Sequence, residues 1–458
     1  MHDIYVNDIV RLCSGKVLYG DGELELSTFC TDTRKLVSGD VYVGIVGETL
    51  DGNEFYKEAV DKGAKCLILS KEPLEELENV TVVIVEDTLK CLQELATYKR
   101  SLYDIPVIAV TGSVGKTSTK DIIYSVVSKK YRTHKTIANF NNHLGLPLTI
   151  LGMQDDTEAL VVEMGMNHFG EISLLSKIAK PTIGVITNIG TAHIGNLGSR
   201  EGIRKAKLEI LDGLVGNQVV LNQDDDMLMK VVDELRDKYE VSTISIDDKS
   251  TYRANNVVYD VFSTKFDINE SVKDIVVNVG GKAYVYNSLV AYAVGKCLDI
   301  RDDKIKEGIL EFKLSSNRLE KKVTKKGTIL IDDTYNANYD SMKSSIELLG
   351  RVSDRRKIAI LGDMLELGDY TDKMHTDLGD VVVNNEVDVL ITIGEYSKMI
   401  GNRAIELGMS SEMIYSFALE KDSYEFLDKL LNNNDIVLLK GSHSMHLTNI
   451  VDYLMKSI

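Results

Sequence analysis

The chain has 458 residues, too many for one hydrophobic core of usual size, and three domains are expected. With 44% hydrophobic and 27% charged residues it has the make-up of a folded globular protein, not of a disordered or fibrous one. Its 70 acidic residues outnumber 53 Lys and Arg, and a net charge of -17 repels polyanions, which argues against nucleic acid as a partner.

Residues Met1 to Val10 carry Asp3 and Asp8 in place of a basic segment followed by an apolar one, so no signal peptide is expected. No apolar run reaches the roughly 18 residues of a membrane span, and a cytoplasmic location is expected. Cys13, Cys30, Cys66, Cys91 and Cys297 are odd in number, scattered and never spaced C-x-x-C; they read as reduced, mostly buried thiols.

In chain order, apolar strands are predicted at Val41 to Ile45, Cys66 to Leu69 and Val82 to Val85, with a helix over Phe55 to Lys62 between them, making a small α/β unit. Pro106 follows a polar helix end and opens the strand Val107 to Val110, so the first boundary is placed there, with residues 1–104 as domain one. Strands at Ala159 to Val162, Ile183 to Thr187 and Gln218 to Leu221, separated by helix-length stretches, predict a parallel sheet in residues 105–315. Tyr252 to Val285 alternates β-branched and polar residues and predicts an antiparallel flap appended to that sheet. A further βα series, with strands at Thr328 to Ile331, Lys357 to Leu361, Val389 to Ile393 and Ile436 to Leu439, predicts a doubly wound domain over residues 316–458. No internal repeat or low-complexity run is visible, and four prolines is a low count.

The strongest local signal is Thr111-Gly112-Ser113-Val114-Gly115-Lys116-Thr117, which follows an apolar strand and opens a helix near Ser118. Glycines let backbone N–H groups turn toward phosphate oxygens, and the helix N-terminus adds partial positive charge. Lys116 suits the distal phosphates, and Thr117 offers a hydroxyl to magnesium. The full G-x-x-x-x-G-K-[ST] pattern needs glycine where Val110 stands, so only a shorter form is met.

Joined to Asn139-Phe140-Asn141-Asn142-His143-Leu144-Gly145-Leu146-Pro147, this loop resembles the Mur ligase family. Val162-Glu163-Met164-Gly165-Met166-Asn167-His168, Thr187-Asn188-Ile189-Gly190-Thr191-Ala192-His193, Asp332-Asp333-Thr334-Tyr335-Asn336-Ala337-Asn338, Leu361-Gly362-Asp363-Met364-Leu365-Glu366-Leu367-Gly368 and Lys440-Gly441-Ser442 are similar to its D-alanyl-D-alanine-adding branch. The resemblance spans all three predicted domains. It implies an ADP-forming ligase in which ATP turns a carboxylate of UDP-N-acetylmuramoyl-tripeptide into an acyl phosphate that an incoming D-alanyl-D-alanine attacks, making a cell-wall precursor. It further implies two magnesium ions, because several anionic groups meet at one point, and a monomer.

The same resemblance assigns residues. Thr31, Asp32, Thr33, Arg34, Asp51 and Gly52 fall in the segment that holds the uridine nucleotide, and Asn141, Asn142, Asn188 and Asn338 in substrate-contacting positions. Residues Thr111 to Ser118, with Asn287 at the adenine, Arg318 at the γ-phosphate, Asp333 at the ribose, and Tyr335 and Asn336, belong to the nucleotide site. Glu163, His193 and a carbamoylated Lys207 join Thr117 as magnesium ligands, and Lys116, Glu163, His193, Lys207 and Arg318 form the catalytic set. Judged without the resemblance, Glu163 is an ordinary strand-end carboxylate, His193 a loop histidine, Asn287 an N-cap of a helix from Ser288 to Cys297, Arg318 a linker charge, and Lys207 part of a solvated face with Arg204 and Lys205. With Arg318 and Asp333 on a domain other than that of Lys116, catalysis is expected to need closure about a hinge near Ser315 to Arg318.

Five positions depart from the family pattern: Asn53 for histidine, Ala283-Tyr284 for a His-Asn pair, Tyr339 for proline, and His443 for arginine. The last removes a bidentate cation and bears on acceptor choice. Other readings are a Mur-type ligase or paralogue with another acceptor, a P-loop ATPase that only binds and switches, and a weakened paralogue kept as a scaffold. No D-N-P-R acceptor motif is present, the ATPase reading needs a Walker-B aspartate after a strand and explains none of the remaining motifs, and the intact Lys116, Thr117, Glu163, His193 and Lys207 oppose the scaffold.

Overall fold

A computed structural model describes residues 3–457; Met1 and His2, which begin the stretch read as lacking a signal peptide, and Ile458 lie outside the described residues. The chain forms two compact units, one of Met1–Thr111, Tyr131–Gly184 and Leu208–Asn217, the other of Gly112–Lys130, Val185–Lys207 and Gln218–Ile458.

In the first unit, five strands lie in the order Lys16–Tyr19, Thr81–Ile84, Cys66–Leu69, Val41–Val43, Phe29–Cys30. The first pairing is antiparallel and the others are parallel. Cys66 to Leu69 is a continuous apolar run buried at every position, which suits a strand covered on both faces. The helix Thr88–Ser101 starts where the Asp87 side chain accepts from the Lys90 amide, and it buries Cys91, Leu92, Leu95 and Ala96. Also in this unit, Val107–Thr111 runs parallel to Ala159–Glu163, which runs parallel to Thr133–Lys135. Glu163 is in register with Val110, at the carboxyl end of the strand that leads into the glycine loop.

In the second unit, Gln218–Asn222, Glu240–Ser245 and Tyr252–Tyr259 pair in parallel, and Thr264–Ile268 and Val272–Val277 continue antiparallel, which is the predicted flap. The flap is shorter than expected. After Gly281, at φ +104°, the chain enters a helix over Lys282–Cys297, not Ser288 to Cys297. The aromatic and β-branched run Tyr284-Val285-Tyr286 imitates a strand, but the helix is buried on almost every side, so no polar face marks it. Asn287 is therefore in a helix interior and is not an N-cap.

The C-terminal segment builds a six-stranded sheet in the order Glu320–Val323, Ile329–Asp332, Asp435–Lys440, Arg356–Gly362, Val389–Ile393, Ile414–Phe417. All pairings but the first are parallel. Ile358, Ile360, Val437, Leu439, Ile391 and Leu454 lie in its core. The molecule is α/β with several mixed sheets, as expected. Of the five thiols Cys66 and Cys91 are fully buried, and Cys13, Cys30 and Cys297 are partly buried. Among the described residues no helix is long and apolar enough to cross a membrane.

Candidate active site

The glycine loop is built by close approach. Gly112 sits at φ +153°, and a Cβ there would meet the Thr187 hydroxyl oxygen at 1.8 Å. Gly115, at φ +83°, caps the helix Lys116–Val127 without any side-chain cap, leaving the first-turn amides to an anion. Asn188 braces the loop. Its Oδ1 accepts from the Val114 amide at 3.0 Å, its Nδ2 donates to the Val114 carbonyl at 2.9 Å, and its carbonyl accepts from the Ser113 amide at 3.0 Å. Lys116 Nζ donates to the Gly112 carbonyl at 2.9 Å.

Four contacts tie the loop and its helix to the chain that follows. Arg318 Nη2 donates to Thr117 Oγ1 at 3.1 Å, and Tyr284 Oη lies 3.3 Å from Ser118 Oγ. Thr119 Oγ1 donates to Asn287 Oδ1 at 2.9 Å, and Ser315 Oγ donates to an Asp121 carboxylate oxygen at 2.5 Å. Asn287 thus packs beneath the loop, with its Oδ1 only 3.1 Å from where a Cβ of Gly115 would stand.

Lys207 lies on the helix Arg200–Leu208 beside Ile203 and Ala206 and is 1% exposed, so it does not share the solvated face of Lys205. Burial first, and the charge of Lys116 second, hold its ammonium well below the usual lysine range. The shift favours the uncharged amine, which is the form able to react with carbon dioxide.

His193 stands at φ +62° in the loop after the strand Ile183–Ile186, facing Glu366, itself at φ +64°. Its Nδ1 is 3.0 Å from Glu366 Oε2, an ion-pair distance, yet the two are out of line for a hydrogen bond, leaving Nδ1 formally unpartnered. The ring holds the Glu366 carboxyl below its usual range.

In the first unit, Glu163 is 2% exposed. Its Oε1 accepts from Asn141 Nδ2 at 2.8 Å, and its amide donates to Thr136 Oγ1, but its buried Oε2 has no hydrogen-bond partner. A buried carboxylate oxygen left unmatched is costly and suits a cation, so Glu163 fits magnesium. Among the described residues no cluster of three or more His, Cys, Asp and Glu could hold a metal by itself. Asn142 uses its Oδ1 to accept from the Leu144 and Gly145 amides and shapes the turn.

Asp32 caps the short helix Thr33–Lys35, beside half-buried Thr31, and is gripped by the Arg34 guanidinium at 2.8 Å, which lowers its pKa to about 2. Asp51, next to Gly52, is likewise lowered to about 2, first by Lys71 and then by Asn53. Asn53 explains its own departure from histidine: it donates twice to Asp51 and once to Ser70 Oγ, and its Oδ1 accepts from the Ser70 amide. It is an internal strut.

At the C-terminal sheet, Asp333 Oδ2 accepts from Lys440 Nζ and from Ser345 Oγ, each at 2.6 Å, and its Oδ1 from the Leu319 amide at 3.3 Å. Asn317 and Leu319, both left-handed at φ +62° and +51°, flank Arg318, whose guanidinium lies 4.0 Å from the Tyr335 ring centre. Asn336 Oδ1 accepts from the Ala337 and His443 amides, so His443 sits on the backbone of this turn. Asn338 is the N-cap of the helix Tyr339–Gly350, sharing a capping box with Ser341, and Tyr339 takes the first helical position, which proline also favours.

The second unit thus gathers the glycine loop, Asn188, Asn287 and Arg318, and the first pairs Asn141 with Glu163. Asp121, Asp340 and Glu366 carry contacts here that sequence reasoning did not assign. Only Glu366 had a signal, its place in the Leu361 to Gly368 stretch.

Comparison with known proteins agrees over nearly the whole chain. The family model for the Mur ligase middle domain matches residues 110–295, and that for the Mur ligase glutamate ligase domain matches residues 317–443. The UDP-N-acetylmuramoyl-tripeptide–D-alanyl-D-alanine ligase of Bacillus subtilis (strain 168) is 36% identical over 428 residues, 93% of each chain. A crystal structure of MurF from Acinetobacter baumannii superposes with a TM-score of 0.89 at 27% identity, over 99% of both chains. MurF ligase from Thermotoga maritima in complex with ADP gives 0.81 at 27% identity, over 94% of this chain and 97% of that one.

Proposed function

The chain belongs to the Mur ligase family, and from that premise we propose that it joins D-alanyl-D-alanine to UDP-N-acetylmuramoyl-tripeptide with conversion of ATP to ADP and phosphate. One observation carries the reading furthest. Arg318, from the segment that matches the glutamate ligase domain, reaches the hydroxyl of Thr117 in the phosphate loop. A switch ATPase has no need of a second segment at the reacting end of its nucleotide.

The tripeptide carboxylate attacks the γ-phosphorus, the bond to the β,γ-bridging oxygen breaks, and ADP leaves. The dipeptide amine, after losing a proton, attacks the acyl carbon and phosphate departs. The loop amides and Lys116 hold the phosphates, while Arg318 stabilises charge on the group in transfer. Magnesium, when bound, screens the anionic reactants from one another. Thr117 through its hydroxyl, Glu163 through its unpartnered Oε2, His193, and Lys207 as a carbamate would hold two such ions. Lys207 is suited to that role because its lowered pKa favours the neutral amine, which can attack carbon dioxide and lose a proton to become anionic. Asp32, Arg34 and Asp51 would grip the uridine nucleotide and Asp333 the ribose, with predicted domains 1–104, 105–315 and 316–458 closing about Ser315 to Arg318. A monomer in the cytoplasm suffices for this reaction.

The test is phosphate release and product mass with ATP, magnesium and UDP-N-acetylmuramoyl-tripeptide, with and without D-alanyl-D-alanine. Dipeptide-dependent phosphate and the pentapeptide mass support the reading; release that ignores the dipeptide, or none at all, overturns it.

A further inference from the structure

The loop Asn188 to Leu197 is held from two directions. Its first residues are bonded to the phosphate loop: Asn188 brackets Val114, and the Gly190 amide donates to Ser113 Oγ at 2.9 Å. Its later residues meet the C-terminal segment. Asp340, in the first turn of the helix Tyr339–Gly350, accepts through one carboxylate oxygen from both the amide and the hydroxyl of Thr191, at 2.8 and 2.9 Å. That oxygen lies 2.3 Å from where a Cβ of Gly190 would be, so the approach demands glycine there. Two residues on, His193 faces Glu366, and Gly195 packs against the backbone of Glu366 and Gly368.

We propose that Asp340 is a positioning residue: it latches Gly190 to His193 onto the C-terminal segment, so that docking of that segment sets the place of His193 relative to the phosphate loop. Asp340 touches no reacting atom. It acts through Thr191, and its two hydrogen bonds to one charged oxygen are of the stronger, charge-assisted kind. The N-cap Asn338, two residues before it, fixes the helix start and with it the direction of the carboxylate. A loop tethered at one end to the phosphate loop and at the other to the C-terminal segment couples the two steps of the reaction proposed above, on which this inference rests.

The test uses the full-length protein with D340A, D340N and T191S. Amide exchange of residues 188–198, followed without nucleotide, should rise about tenfold in D340A, because local opening loses two closing bonds. The kcat should fall about tenfold or more while KM for ATP stays within about threefold, since a misplaced group costs turnover more than ground-state binding. D340N, which keeps an acceptor oxygen, should lie between parent and D340A, and T191S, which keeps the hydroxyl, should match the parent. If D340A does not fold, T191V replaces it under the same two readouts. Exchange or kcat within about twofold of the parent, or a loss confined to KM, overturns the proposal. A parent protein that forms no product would remove the proposed reaction, and the exchange measurement would still judge the latch.

Discussion

Replacing Lys207 by methionine should stabilise the protein while abolishing the ligase reaction. Methionine fills a similar volume at a position 1% exposed and has no proton to lose. The folded lysine has a pKa well below its unfolded value of about 10.4, chiefly through burial and secondly through Lys116. Above the unfolded value neither state binds the proton and Lys207 adds no pH dependence. As pH falls below it, the unfolded chain takes up a proton that the folded chain refuses. Stability then drops by about 1.4 kcal/mol per pH unit until the folded pKa is reached. The methionine variant lacks this loss, and all other titrating groups cancel in the comparison. Urea unfolding of both proteins in carbonate-free buffer, from about pH 9 down to about pH 7, should show the variant more stable, by a margin that widens on acidification. Bicarbonate should narrow the margin by stabilising the parent alone, as a ligand that binds only the folded state does. Equal stabilities, or a margin that shrinks as pH falls, would refute a buried neutral amine.

Lys207→Ala should lose turnover and recover part of it with short carboxylic acids that occupy the place of the carbamate; full activity without additive sinks that role for Lys207. Asp333→Asn leaves the Lys440 ammonium, 3% exposed, without its carboxylate, and should cost about 3–5 kcal/mol in chemical unfolding. A loss below about 1 kcal/mol would mean that the contacts of Lys440 with the Asp333 and Asn336 carbonyls suffice. Asn53→Ala strips three side-chain hydrogen bonds, one to Asp51 and two to Ser70, and should raise KM for the UDP-linked substrate while leaving KM for ATP unchanged, as steady-state kinetics will show.

The sequence revealed the glycine loop because its chemistry is local: a strand, two glycines, a lysine and a helix within twelve residues leave few alternatives. Lys207 was hidden by its neighbours. Arg204 and Lys205 suggest a wet face, although Ile203, Ala206 and Ile210 place position 207 on the buried stripe at helical spacing. Asn287 was misread because the helix around it is apolar on nearly all sides, and only Gly280-Gly281 marks its start. Asn188 and Asn338, assigned to substrate, also brace a loop and cap a helix, which their motifs did not announce. The short strands Glu240–Ser245, Glu320–Val323 and Ile414–Phe417 escaped notice because their pairing partners, not their own apolar content, stabilise them. Asp340 could not have been found, since a lone acid in a first helical turn is common and its partner lies 149 residues away in the chain.

The fit around Gly112 also has a genetic side. Every base change that alters a glycine codon to another amino acid adds at least a Cβ, and here that atom would stand 1.8 Å from the Thr187 oxygen. Silent third-base changes alone leave this fit untouched. A side chain at position 112 has to displace the Thr187 hydroxyl, which donates to the Val114 carbonyl, and so disturbs the phosphate loop itself.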